Sequence, residues 1–194
     1  MEKSSGIRLI LASASPARRT LLSRITSTFE VLPSEIDEPT GFCDPRHEVQ
    51  SVSWLKARSV SRVVDRGVIL AADTIGWLDG QAILKPRDEA DARQILKKMA
   101  GRIHELWTGV TLWRRPDDLQ VIWQERSLVE FRSLTEVQLD HYIATRSWKN
   151  HSGAYAIEED GDPFVRVVEG SLTNVIGLPL ESLAKQLPRV FENK

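Results

Sequence analysis

The chain has 194 residues, 41% of them hydrophobic and 27% charged, with a net charge of −1. That length suffices to bury a real core, and the near-neutral balance supplies no global field to draw nucleic acid or a membrane surface. The single cysteine, Cys43, excludes an internal disulfide and a thiolate metal cluster within one chain.

Periodicity places a strand at Arg8–Ala12 and a helix over Pro16–Ile25, with Ser15 as N-cap and Pro16 at the first helical position. A short strand follows at Phe29–Leu32, then the turn-rich, acidic stretch PSEIDEPTGFCDP. Glu48–Arg66 reads as a helix whose apolar face carries Val49, Val52, Leu55, Val60 and Val63. The β-branched run Val68–Ala72 is expected to stop at Asp73-Thr74, leaving a carboxylate and a hydroxyl at a strand's end. Ile75–Leu78 and Ala82–Leu84 flank Asp79-Gly80, a hairpin signal.

Asp88–Met99 reads as a helix, with Ala92, Ile95, Leu96 and Met99 on one stripe. Glu105–Trp113 and Val121–Phe131 read as longer strands joined by the turn cluster RRPDD. Thr135–Ala144 is a helix with a capping box between Thr135 and Gln138. Phe164–Val168 reads as a strand and Pro179–Leu187 as a closing helix. Early alternation of strands and helices with a hairpin pair mid-chain implies one α/β domain over residues 1–194, built on a mixed twisted sheet with flanking helices. The patch Leu9–Ala12 is too short for a secretion signal, and no run reaches the roughly 18 apolar residues of a membrane helix, so a cytoplasmic protein is expected.

The polar residues that interrupt these elements form a chemical set. Ser13, Ser15, Arg18 and Arg19 follow the first strand; Glu35, Asp37 and Glu38 follow the second; Lys56 lies in a helix; Asp73 and Thr74 follow the third strand; Lys85 precedes Pro86. Cations at helix starts and carboxylates at strand ends suit a polyphosphate with a divalent metal, because lysine and arginine neutralise phosphate oxygens while carboxylates hold magnesium. A helix N-terminus at Ser15 adds backbone donors for an anion.

Each piece has a plain alternative. Ser15-Pro16 is also an ordinary helix start, Arg18-Arg19 a solvated pair, and Lys56 a surface residue on spacing alone. Glu158-Glu159-Asp160-Gly161-Asp162 lacks the closing glutamate of a calcium loop and reads as a charged turn. His47, His104, His141 and His151 have no metal-ligand spacing, and neither a phosphate loop nor a nucleophile elbow is present.

Taken in order, LASASPARRTLL, EIDE, LKA, AADTIGWLDGQAILKP, GRIHELWTGV and SGAYAIEEDGDPFVRVVEGSLTNVIGLP resemble the motifs of the Maf-like nucleotide pyrophosphatases, from about Leu9 to Leu187. The resemblance implies two closely packed lobes around a cleft, related to the inosine triphosphatases. It also implies hydrolysis of a nucleoside triphosphate to the monophosphate and pyrophosphate with a divalent cation, Mg or Mn, as a house-cleaning activity linked to cell-division arrest. Carried over, Asp73 is the proton acceptor for water, Glu38 and Asp73 hold the metal, and Ser13, Arg18, Lys56 and Lys85 hold the triphosphate. A homodimer is a further expectation, and the charge balance argues against a nucleic-acid platform.

Family members acting on dTTP and UTP carry arginine, threonine and glutamine at three base-selecting positions, and those acting on methylated GTP carry an aromatic, glutamine and glutamate. Here the three are Ala17, Thr74 and Glu158, a mixture that leans toward dTTP and UTP. Methylated GTP as substrate, or an inactive nucleotide- or nucleic-acid-binding regulator, stay as alternatives.

Overall fold

The computed structural model describes residues 7–39, 41–149, 152–155, 157 and 164–191. Its strands are β1 (Leu9–Leu11), β2 (Glu30–Val31), β3 (Gly67–Leu78), β4 (Gln81–Ile83), β5 (Arg102–Arg115), β6 (Gln120–Phe131) and β7 (Val165–Glu169). The helices are α1 (Pro16–Ser23), α2 (Pro45–Ser61), α3 (Glu89–Met99), α4 (Glu136–Thr145), α5 (Leu172–Ile176) and α6 (Leu180–Phe191). The strands form one mixed sheet in the order β2-β1-β3-β5-β6-β7, with β4 also pairing β3. β1 runs parallel to β2 and β3, and the remaining pairs are antiparallel.

Local chemistry sets several boundaries. Ser15 caps α1 and Pro16 opens it; Asp44-Pro45 repeats the device on α2. That pair starts α2 three residues before the expected Glu48, and the helix ends at Ser61, which leaves Val63 71% exposed rather than on an apolar face. Asp79 and Gly80, both at positive φ, make the β3–β4 turn. The capping box of Thr135 and Gln138 starts α4 as expected.

The expected strand end at Asp73-Thr74 is not there. β3 runs unbroken through both residues, because β5 pairs it all the way from Gly67↔Arg115 to Trp77↔Glu105. The interruption lies on the other edge instead. β1 pairs Val68–Leu70 and β4 pairs Gly76–Leu78, so among the described residues no strand covers that edge at Asp73.

Alternation along the strands divides the core. Ile69, Ala71 and Trp113 pack beneath α2 with Ala57 and Val60. On the opposite face Leu70 and Leu112 meet Leu21 and Leu22 of α1 and Leu183 of α6. Farther along that face, Leu96 and Met99 of α3 and Ile143 of α4 meet Phe131 and Tyr155. Each fully buried leucine or isoleucine contributes roughly 2 kcal/mol by removal of apolar area from water. These packed groups hold both faces of the sheet around the gap.

Candidate active site

The gap gathers residues that are far apart in sequence. Lys56, expected at the surface on spacing alone, is 8% exposed on α2, and its Nζ donates to Asp73 Oδ1 at 2.7 Å. The same Nζ lies 2.7 Å from Glu38 Oε1. Burial pushes the Glu38 pKa up, but the hydrogen bond and charge of Lys56, helped by the charges of Lys85 and Arg18, outweigh it and hold Glu38 below the usual value. Lys85 itself is exposed and acts here through its charge.

A second group abuts the first. Arg18, half-buried on α1, donates from Nε to the Gly177 carbonyl at 2.8 Å, from Nη1 to Ser13 Oγ at 3.5 Å and from Nη2 to Thr74 Oγ1 at 3.1 Å. Burial lowers its pKa, while the charges of Asp73 and Glu38 pull it up, so the guanidinium and both carboxylates share one electrostatic site. Ser13 Oγ also accepts from the Ser15 amide at 3.2 Å. Gly177 caps α5 in the left-handed region at φ 119°, and a Cβ there would meet Thr74 Oγ1 at 3.2 Å.

The expected site residues thus fall into two contacting sets, Glu38 with Lys56 and Asp73, and Ser13 with Arg18 and Thr74. The Thr74 hydroxyl is engaged by Arg18 and by Thr108 Oγ1 at 3.0 Å. Ala17 is exposed on the first turn of α1. Glu158 and the acidic run after it lie outside the described residues.

Three features escaped the residue-by-residue reading. Thr108 Oγ1 donates to the Asn174 carbonyl at 2.9 Å, and Asn174 Nδ2 donates to Ser127 Oγ at 2.9 Å, which ties α5 to the sheet beneath Arg18. Gly109, directly paired with Asp73, lets α2 lie against β5; a Cβ there would overlap the Val49 carbonyl and come within 2.8 Å of the Gln50 nitrogen. Glu48, in the first turn of α2 beside that crossing, is 9% exposed. Among the described residues its carboxyl makes no hydrogen bond or ion pair. Burial, and behind it the Asp73 charge, push its pKa above the usual carboxylate range. Alone in the sequence, a glutamate in a helix's first turn is an ordinary partner for the helix dipole.

Beyond the N-terminus of α2 the same sheet face opens into a cleft of about 710 Å3, lined by Arg46, Trp77, Arg102, Glu105, Trp107 and Arg126 among others. Neither Lys56 nor Asp73 lines it; the cleft adjoins the start of α2 instead.

The sequence profile of the family described as Maf-like protein matches residues 8–190. The chain belongs to the Maf-like family. A dTTP/UTP pyrophosphatase of Carboxydothermus hydrogenoformans is 39% identical over 181 residues, covering 93% of this Maf-like chain and 97% of the relative. A dTTP/UTP pyrophosphatase of Ruminiclostridium cellulolyticum is 36% identical, covering 95% and 96%. One of Thermosipho africanus is 38% identical, covering 91% and 90%. Among solved structures, the Ham1 protein of Staphylococcus aureus is similar with a TM-score of 0.49 and 15% identity, over 64% of this chain and 71% of that one.

Proposed function

We propose that this Maf-like chain hydrolyses a nucleoside triphosphate to the monophosphate and pyrophosphate, with dTTP and UTP as preferred substrates, in the cytoplasm. The observation that carries the reading is the Asp73 carboxylate, set at the uncovered edge of β3 and joined through Lys56 to Glu38. The relatives named as dTTP/UTP pyrophosphatases, which match over nine-tenths of the chain, favour pyrimidine nucleotides over methylated GTP.

The donor set fits magnesium or manganese. Glu38 and Asp73 present hard carboxylate oxygens to one common cation, the Lys56 ammonium. When bound, such an ion neutralises phosphate oxygens as charge develops on the leaving pyrophosphate. Glu38 and Asp73 would hold it.

The remaining work belongs to the chain. A water oxygen attacks the α-phosphorus while the bond from that phosphorus to the α,β-bridging oxygen breaks, and the bridging oxygen departs with pyrophosphate. Asp73 accepts the water's proton. Ser13 and the first turn of α1 present hydroxyl and backbone donors to the phosphates, and Arg18, Lys56 and Lys85 supply positive charge. Thr74 fixes the Arg18 guanidinium, and base selection is assigned to the residue types at positions 17 and 158, Ala17 and Glu158.

Incubating the purified protein with UTP, dTTP and methylated GTP, in magnesium or manganese, tests the reading. Pyrophosphate with the monophosphate is expected, fastest from UTP or dTTP. Orthophosphate alone, or salt-dependent DNA binding with no hydrolysis, overturns it.

A further inference from the structure

Thr108, fully buried in β5, carries a hydroxyl whose proton has a fixed destination. Its Oγ1 lies 2.9 Å from the Asn174 carbonyl and 3.0 Å from Thr74 Oγ1. A carbonyl only accepts, so the single Thr108 proton goes to Asn174 and only lone pairs are left to face Thr74. The single Thr74 proton therefore goes to Thr108. Thr74 Oγ1 is left as an acceptor, and Arg18, which can only donate, fills it from Nη2 at 3.1 Å.

The fold does not need this relay. The Asn174 carbonyl already accepts from the Gly177 amide at 3.0 Å. α5 is tied to the sheet independently, because Ser127 Oγ accepts from Asn174 Nδ2 and donates to the Ser171 carbonyl. What the two threonines add lies at their other end. Two carbonyls of the α5 segment hold two nitrogens of one guanidinium: Gly177 takes Nε directly at 2.8 Å, and Asn174 takes Nη2 through Thr108 and Thr74. Hydrogen bonds in series polarise one another, which strengthens the bond made to the charged end. Nη1, whose contact with Ser13 Oγ is the longest of the three at 3.5 Å, is the nitrogen left for a phosphate oxygen.

We propose that Thr108 is a positioning residue of the phosphate site: by taking the Thr74 proton it keeps Thr74 an acceptor for Arg18, and so fixes the guanidinium that meets the triphosphate. Thr74 consequently offers a bound nucleotide no proton, and its influence reaches the substrate through Arg18. The proposal rests on Arg18 as a triphosphate ligand in the pyrophosphatase reading.

The test is calorimetric binding of a non-hydrolysable UTP analogue to the wild type, Thr108→Val, Thr108→Ser, Thr74→Val and the double variant, with UTP kinetics for each. Thr108→Val removes the hydroxyl but keeps the branched shape, and is expected to bind about fivefold more weakly. KM should rise by the same factor with kcat unchanged. Thr108→Ser is expected to bind as the wild type does. In the Thr74→Val background Thr108→Val should weaken binding no further, because Thr108 acts through Thr74. Unchanged affinity in Thr108→Val overturns the proposal, as does a loss that Thr108→Ser does not reverse. The same loss repeated in the Thr74→Val background marks a structural role and also overturns it, as does a wild type that binds no analogue. If Thr108→Val does not fold, Thr108→Cys, whose thiol is a weak donor, replaces it with a smaller expected loss, and unchanged affinity there overturns the proposal equally. A wild type that binds the analogue with this dependence on Thr108 but releases no pyrophosphate keeps the proposal and overturns the activity.

Discussion

Lys56 Nζ and Asp73 Oδ1 meet at 2.7 Å, with their side chains 11% and 13% exposed, across 17 residues of chain. Desolvation offsets much of the attraction in such a pair, so replacing both partners with apolar groups costs little, whereas removing one strands the other. Lys56→Met should therefore lower stability by roughly 3 kcal/mol in metal-free buffer, because Asp73 is left uncompensated. Added Mg2+ or Mn2+ should restore part of the loss. Urea midpoints with and without metal measure both effects.

Asp73→Asn keeps the shape of the residue and a hydrogen-bond acceptor but removes the proton acceptor. Turnover should fall about 10²- to 10⁴-fold. Nucleotide binding, read by calorimetry with a non-hydrolysable triphosphate, should persist. Turnover near the wild-type rate would remove Asp73 from that role.

Gly109→Ala pushes a methyl into the backbone of α2 at Val49 and Gln50. Overpacking of this kind costs about 1–3 kcal/mol. The same shift carries Glu48 and Lys56 away from Asp73, so pyrophosphate release should drop more than the melting temperature alone explains. Comparing rates well below both melting temperatures separates the two effects.

His104 gives a pH dependence with a definite sign. Burial drops its pKa from the usual 6.5 to about 4, and its Nε2 lies 2.6 Å from the Tyr155 hydroxyl. The unfolded chain thus binds more protons than the folded one between those values. The contribution is intact above pH 6.5 and is lost as the pH falls toward 4, by about 3 kcal/mol in all. In His104→Gln this contribution to the slope should vanish, which denaturation midpoints at pH 7, 5.5 and 4 would show.

Much of the scaffold was legible because it is written in neighbouring residues. Ser15-Pro16, Asp79-Gly80 and Thr135 with Gln138 act through backbone angles and caps, which depend on a few adjacent side chains, and each stands where expected. Asp44-Pro45 carries the same signal, but the turn-rich stretch before it concealed the start of α2. α5 has five residues, too few for a helical period to emerge, and its boundaries come from Ser171 and Gly177.

The sequence by itself determined the order of the main strands and helices, the capped starts of α1 and α4 and the family to which the chain belongs. The tertiary structure decided what those residues face. Asp73 sits inside a strand because β5 pairs through it, and it is open because β1 and β4 leave the other edge uncovered. Lys56 and Glu48 look like surface charges along the helix, and the close approach allowed by Gly109 buries both. Periodicity records which side of an element is apolar. Burial of a charge depends on which distant element lies against it, and that is settled only when the chain packs.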